Sequence, residues 1–322
     1  MFVDPADLSP LIMFQSNSGI QEDVFRYEEV APGKNTFQVP EICETNPIVV
    51  ERAYEFAKDH MFAQSHLEFS RMDTNLVTKL KTELETAVPF MYFKRSIASI
   101  PTSLDRRTTG NVAKVRNQGA CGACWSFSSA AAMETVISVA SGMPAASISP
   151  QAIIDCSPLG VKTHTNLGLR SCRGCAGGYP PVAFQNAING TGIAMEEEYK
   201  YIDVEGSCNA YARVKKGISS YRIIQPGNEY DIIAAVAEHG AVSVLISVQE
   251  DLEFYTGGVY DNPNCGTSPA HAVTVIGYDD VSYIMKNSWG SAWGESDFFR
   301  MIRGKNMCGI ANHASVPVAK IQ

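Results

Sequence analysis

Three short stretches of this 322-residue chain bring together residue types that can break an amide bond. The first is Gln118-Gly119-Ala120-Cys121-Gly122-Ala123-Cys124-Trp125. Cys124 stands where a glycine-rich turn meets an apolar, alanine-rich run, Ser126 to Val139, which reads as a buried helix. A thiol at a helix start faces unpaired backbone N–H groups and the positive end of the helix dipole, so thiolate is expected there. Gln118 can turn a side-chain N–H toward an oxygen held in front of the sulfur, and the glycines let the backbone come close. The second stretch, Ala270-His271-Ala272-Val273, offers a base that can become an acid. The third, Lys286-Asn287-Ser288-Trp289-Gly290, offers a carboxamide to orient that base. Nucleophile, base, orienting group and oxyanion donor are the parts that amide hydrolysis through sulfur requires.

A second reading of the same cysteines stays open at this point. Cys-x-x-Cys also suits zinc, and Cys172 with Cys175 repeats the spacing of Cys121 with Cys124. The glutamine, the tryptophan and the downstream histidine and asparagine favour the nucleophile.

The decamer around Cys124 resembles the active-site segment of papain-like cysteine proteases, the cathepsins among them. That family carries Cys-Gly-[Ser/Ala]-Cys-[Trp/Tyr], with His and Asn roughly 130–150 residues downstream. His271 and Asn287 follow in that order, with Gly-Ser-Ala-Trp293-Gly just behind. The resemblance implies an α+β fold of two subdomains, one helical and one β-barrel-like, with the cleft between them. It assigns Cys124, His271, Asn287 and Gln118 to catalysis and Trp289 to shielding the His271–Asn287 hydrogen bond. It places Gly177, Gly178, Tyr179 and Pro180 along the substrate cleft, with Leu245 and His313 at the base of the main specificity pocket. It pairs Cys121 with Cys175, Cys156 with Cys208 and Cys265 with Cys308, leaving Cys43 and Cys172 over. No cofactor and no metal is implied.

Composition narrows the classes. A net charge of −8 argues against a nucleic-acid binder, which would show a basic face. No apolar run is long enough to span a membrane. Nine cysteines point to disulfides and the secretory route, hence a lysosomal or extracellular address. The first residues, Met1-Phe-Val-Asp4-Pro-Ala-Asp7, lack the basic start of a signal peptide. The partners expected are protein or peptide substrates and the chain's own propeptide as inhibitor, on a monomer.

Along the chain, residues 1 to about 45 carry four prolines and no sustained period, so they are expected to be irregular or extended. Helical spacing begins near Ile48 and returns from Thr74 to Ala87. The His66–Thr74 stretch between them is similar to the strand-like segment of cathepsin L-type propeptides. Ile100-Pro-Thr-Ser-Leu104 resembles a mature N-terminus, which gives a propeptide over 1–98 and a peptidase domain over 99–322. Within the latter, Ser149-Pro150 opens a short helix as N-cap and first residue. Ala241–Val248, His271–Gly277 and Ser282–Lys286 read as strands.

Two departures from the family pattern carry expectations. The span from Cys156 to Cys175 is longer than the resemblance implies, which leaves an inserted loop, 157–174, expected to be inert surface. The span from Cys175 to Cys208 lacks the histidine-bearing loop of cathepsin B-like exopeptidases, so endopeptidase action on a zymogen-derived enzyme is expected. His313 would let the pocket accept apolar or aromatic side chains, and acidic ones at low pH. His60, His66, His164 and His239 are expected on surfaces or loops. Asn189-Gly-Thr191 is a glycosylation sequon if the chain is secreted. A catalytically silent, peptide-binding relative is the alternative function, disfavoured by the intact set of four catalytic residue types.

Overall fold

In the computed structural model the described residues are 2–3, 10–15 and 22–26, helical Asn75, 77–79 and 81–82, then 92–96, 99–157, 174–189, 192–209 and 217–320. The chain divides into two compact units, Met1–Phe62 and Ala63–Gln322. The helix expected from Ile48, the 66–74 segment, the 157–174 insertion apart from its ends, Cys43, Cys172, His60, His66 and His164 lie outside the described residues.

In the first unit β1 (Phe2–Val3), β2 (Pro10–Gln15) and β3 (Glu22–Arg26) form an antiparallel sheet in the order β1-β2-β3. These stretches are extended, one of the two states expected for residues 1 to about 45. Pro10 sits at the first position of its strand, where a missing N–H is tolerated, and Leu11-Ile-Met-Phe14 has the β-favouring composition that follows.

The second unit pairs a helical layer with one large sheet. After β4 (Leu104–Asp105) comes α1 (Cys124–Ser141), which the alanine-rich sequence favours and which Gly142 ends in the left-handed conformation. It is buried on nearly every side, so its sequence shows no polar stripe. Next is α2 (Pro150–Cys156), whose Ser149 side chain accepts the Ala152 N–H, as the Ser-Pro pattern anticipates. Helix α3 (Pro180–Asn189) completes this layer.

Strand β5 (Ile218–Ile223), helix α4 (Glu229–His239), strand β6 (Val242–Ile246), the single turn α5 (Glu250–Glu253) and β7 (Val259–Tyr260) follow. Then come β8 (His271–Tyr278), β9 (Ser282–Lys286), β10 (Phe298–Ile302) and β11 (Ala314–Ala319). The eight strands run β5-β11-β6-β8-β9-β10-β7, with β4 beside β8. Their largest core packs Val244, Ile246, Val273, Val275 and Met285 with Ile232, Ile233 and Val236 of α4. Ser128 ties α1 to this sheet, bonding Ser243 Oγ at 2.6 Å and the Val273 carbonyl at 2.8 Å. The outcome is the α+β architecture expected, one layer carrying Cys124 and the other His271 and Asn287.

Residues 92–96 lie against the sheet layer. Phe93 is buried in its core and donates its N–H to the Ile223 carbonyl, and Ser96 bonds the Glu238 carboxylate. His239, expected on a surface, is half-buried edge-on to the Phe93 ring, and desolvation lowers its pKa.

Candidate active site

Cys124 is the first residue of α1, and it is the free thiol among the described cysteines. Cys121–Cys175, Cys156–Cys208 and Cys265–Cys308 are disulfides. Cys121 and Cys175 are therefore spent on each other, which removes two of the four ligands the zinc reading needs.

The sheet register sets the opposite wall. His271 opens β8, and Asn287 directly follows the last residue of β9, the antiparallel neighbour of β8. Strand pairing thus brings two residues sixteen apart in sequence to 2.8 Å, His271 Nε2 to Asn287 Oδ1. Trp289 stacks on the imidazole with ring centroids 4.8 Å apart and planes inclined by 28°. Trp293 meets Trp289 edge-on and anchors its own N–H on the Glu253 carbonyl. Asp297 holds this turn from behind: its carbonyl accepts the Asn287 N–H and its Oδ1 the Trp289 N–H, each at 2.8 Å. Burial pushes the Asp297 carboxyl up to about 7.

Behind both walls lies a buried charge group. Arg116 reaches Glu134 of α1 at 2.5 Å, and Lys286 lies 3.6 Å from the other carboxylate oxygen while donating to the carbonyls of Ala113 and Lys114. The residue before Asn287 is thereby tied to the helix that begins at Cys124. Nothing in the sequence pattern singled out Glu134, Asp297 or Ser288.

Gln118 is buried beside this turn, its backbone N–H on the Ser288 carbonyl at 2.8 Å. Ser288 Oγ donates to Gln118 Oε1 at 2.6 Å, and Gln118 Nε2 donates to the Cys121 carbonyl at 3.0 Å. The amide expected to face the sulfur is held by its own loop.

One expectation is corrected. Cys124 is completely buried, and desolvation pushes its thiol up to about 12. Backbone N–H groups of Ala272, Trp125 and Cys124 itself act in the opposite direction but are outweighed. The helix-start argument for a thiolate thus has the right sign and loses to burial in this state of the chain. Gly177 and Gly178 are buried, with Gly177 at a φ of 113°. Their neighbour Tyr179 belongs to the cluster around Cys124, and Cys175 packs against it.

That cluster has a member from the N-terminal third of the chain. Val77, one of the helical residues 75, 77–79 and 81–82, is fully buried together with Cys124, Tyr179, Leu245 and Ala272. Pro180 starts α3 beside Tyr179. The Leu245 N–H is bonded to the His313 carbonyl at 3.0 Å, and Tyr179 meets the His313 ring edge-on. His313 Nδ1 is buried with no hydrogen-bond partner among the described residues, and desolvation, then the charge of Lys81, lowers its pKa to about 4. Tyr179, Leu245 and His313 therefore lie together.

A buried thiol at a helix start and a histidine bonded to an asparagine are residue types that a thiol-dependent peptide hydrolase uses. Comparison with known proteins agrees. The family described as papain family cysteine protease matches residues 100–318. Mouse pro-cathepsin H is 38% identical over 242 residues, 71% of this chain and 68% of that protein. The proform of Amb a 11, a ragweed pollen cysteine protease, superposes with a TM-score of 0.65 at 30% identity, covering 79% of this chain and 77% of its own. Digestive procathepsin L2 from Tenebrio molitor larval midgut gives 0.63 at 33%, covering 71% and 74%. The chain belongs to the papain family of cysteine proteases.

Proposed function

We propose that this protein is a cysteine endopeptidase made as a zymogen. Cys124 attacks the scissile carbonyl carbon, and His271 takes the thiol proton and later delivers it to the leaving amine. Asn287 fixes the imidazole through Nε2. The tetrahedral oxygen is met by the Cys124 backbone N–H and by the Gln118 amide once substrate draws it from the Cys121 carbonyl. The observation that carries this reading is the 2.8 Å contact between His271 Nε2 and Asn287 Oδ1, which orients the ring so that Nδ1 is left for the sulfur side. Residues 1–98 act as the propeptide, and the burial of Val77 with Cys124 is what supports inhibition by that segment. The Tyr179–Leu245–His313 pocket takes apolar or aromatic side chains, and acidic ones at low pH. No metal or cofactor enters the reaction. Three disulfides fit assembly in an oxidising compartment, with a lysosomal or extracellular destination. Among the described residues no helix is long and apolar enough to cross a membrane.

The test is intact mass of the full chain after acid treatment, with and without a thiol-directed epoxide, followed by digestion of a long peptide. Loss of roughly the first hundred residues, one adduct on Cys124 and internal fragments cut beside apolar residues are expected. Absence of processing and adduct in folded protein would refute the enzyme reading, and release of dipeptides alone would refute the endopeptidase assignment.

A further inference from the structure

The loop from Gln118 to Cys124 is gripped on its outer side by two residues that no motif marks. Asp203 Oδ1 accepts the Cys121 N–H at 3.0 Å, and Oδ2 accepts the Ala120 N–H at 3.2 Å. Tyr201 donates its hydroxyl to the Gln118 carbonyl at 2.5 Å. Successive N–H groups after a left-handed glycine form a concave anion seat, here filled by the chain's own carboxylate. Gly119, at a φ of 60°, is required by this seat: a Cβ there would stand 2.2 Å from Asp203 Oδ2. Asp203 itself adopts a φ of 61°, a conformation that costs a non-glycine residue energy and persists only where contacts enforce it.

These contacts lead to the amide donor. The Cys121 N–H is on Asp203, and the Cys121 carbonyl is on Gln118 Nε2, so the carboxylate fixes the peptide units that aim the Gln118 side chain. Ser288 fixes the other end of the same carboxamide. We propose that Asp203, supported by Tyr201, is a positioning residue for the oxyanion donor Gln118. This rests on the nucleophilic role of Cys124 proposed above.

The experiment compares processed wild type with Asp203→Gly, which removes the carboxylate and suits the backbone, and with Asp203→Asn, which keeps one acceptor. Each is assayed for kcat and KM, for affinity toward a peptide aldehyde, and for the rate of Cys124 alkylation by iodoacetamide across pH. The aldehyde is a useful probe because addition of the sulfur to its carbonyl carbon, with a proton going to oxygen, creates the oxygen Gln118 must meet. For Asp203→Gly, kcat should fall roughly 10–100-fold, as a small misplacement of a catalytic group costs. Aldehyde affinity should fall in parallel, KM and the alkylation profile should hold, and Asp203→Asn should recover part of the loss. Unchanged kcat overturns the proposal. So does a joint decline of kcat, KM and alkylation, because general loosening of the loop would produce it. Wild type that alkylates but hydrolyses nothing would instead sink the proposed function, which separates the two failures.

Discussion

At the scale of single residues, Cys124 shows two opposed forces on one thiol. Its place at the start of α1 favours the anion, and full burial disfavours it more. Uncovering the sulfur should leave the helix start and His271 as the dominant influences. Iodoacetamide should therefore label the full-length chain slowly below pH 9 and label processed enzyme rapidly at pH 5 to 6. Equal rate-against-pH curves for the two forms would show that the N-terminal third does not control the thiol. The four residue types proposed for catalysis were readable because a carboxamide, a thiol, an imidazole and a second carboxamide in that order, Gln118, Cys124, His271 and Asn287, have few other uses. Asp203, Ser288 and Asp297 were not, because an aspartate or serine becomes a positioning group only through neighbours that the fold brings to it.

At the scale of elements, the turns that begin with clear chemistry were legible: Ser149-Pro150 ahead of α2, and β9 from Ser282 to Lys286 with no residue misplaced. Helix α4 was not read, since its contiguous Ile232-Ile233-Ala-Ala-Val236 suits a buried strand as well as a helix. Nor did sequence show that Val77 would reach the cluster around Cys124, because that contact is long-range and made by an ordinary valine. The contact has a pH consequence. Histidine ordinarily titrates near 6.5, whereas covered His313, with Lys81 adding its charge, protonates only near 4. Between those values the uncovered pocket binds more protons, so acid favours release of the segment. His313→Gln should shift the midpoint of acid-induced processing of the full chain to lower pH, read by gel over pH 4 to 7. An unmoved midpoint would exclude this imidazole as the trigger.

For the whole molecule, the relevant titration is that of Asp297. Its folded pKa of about 7 lies above the ordinary 3.8, so the folded state keeps a proton that the unfolded chain has already lost. The resulting stability is fully present below pH 4 and is lost as pH rises through 7, at most about 4 kcal/mol at ~1.4 kcal/mol per pKa unit. Asp297→Asn retains an acceptor for the Trp289 N–H and cannot ionise. Thermal melts between pH 4 and 8 should fall less steeply for the variant, and parallel curves would refute the assignment.

Burial of Cys124 has one further effect, which concerns the chain's covalent integrity. Cys124 shares its cluster with the Cys121–Cys175 bond, three residues away in sequence. Thiol–disulfide exchange proceeds through thiolate, and an ionised sulfur at that spot would be placed to attack its own neighbour. Kept protonated and sealed from solvent, that sulfur is withheld from attack on the bond that holds its loop.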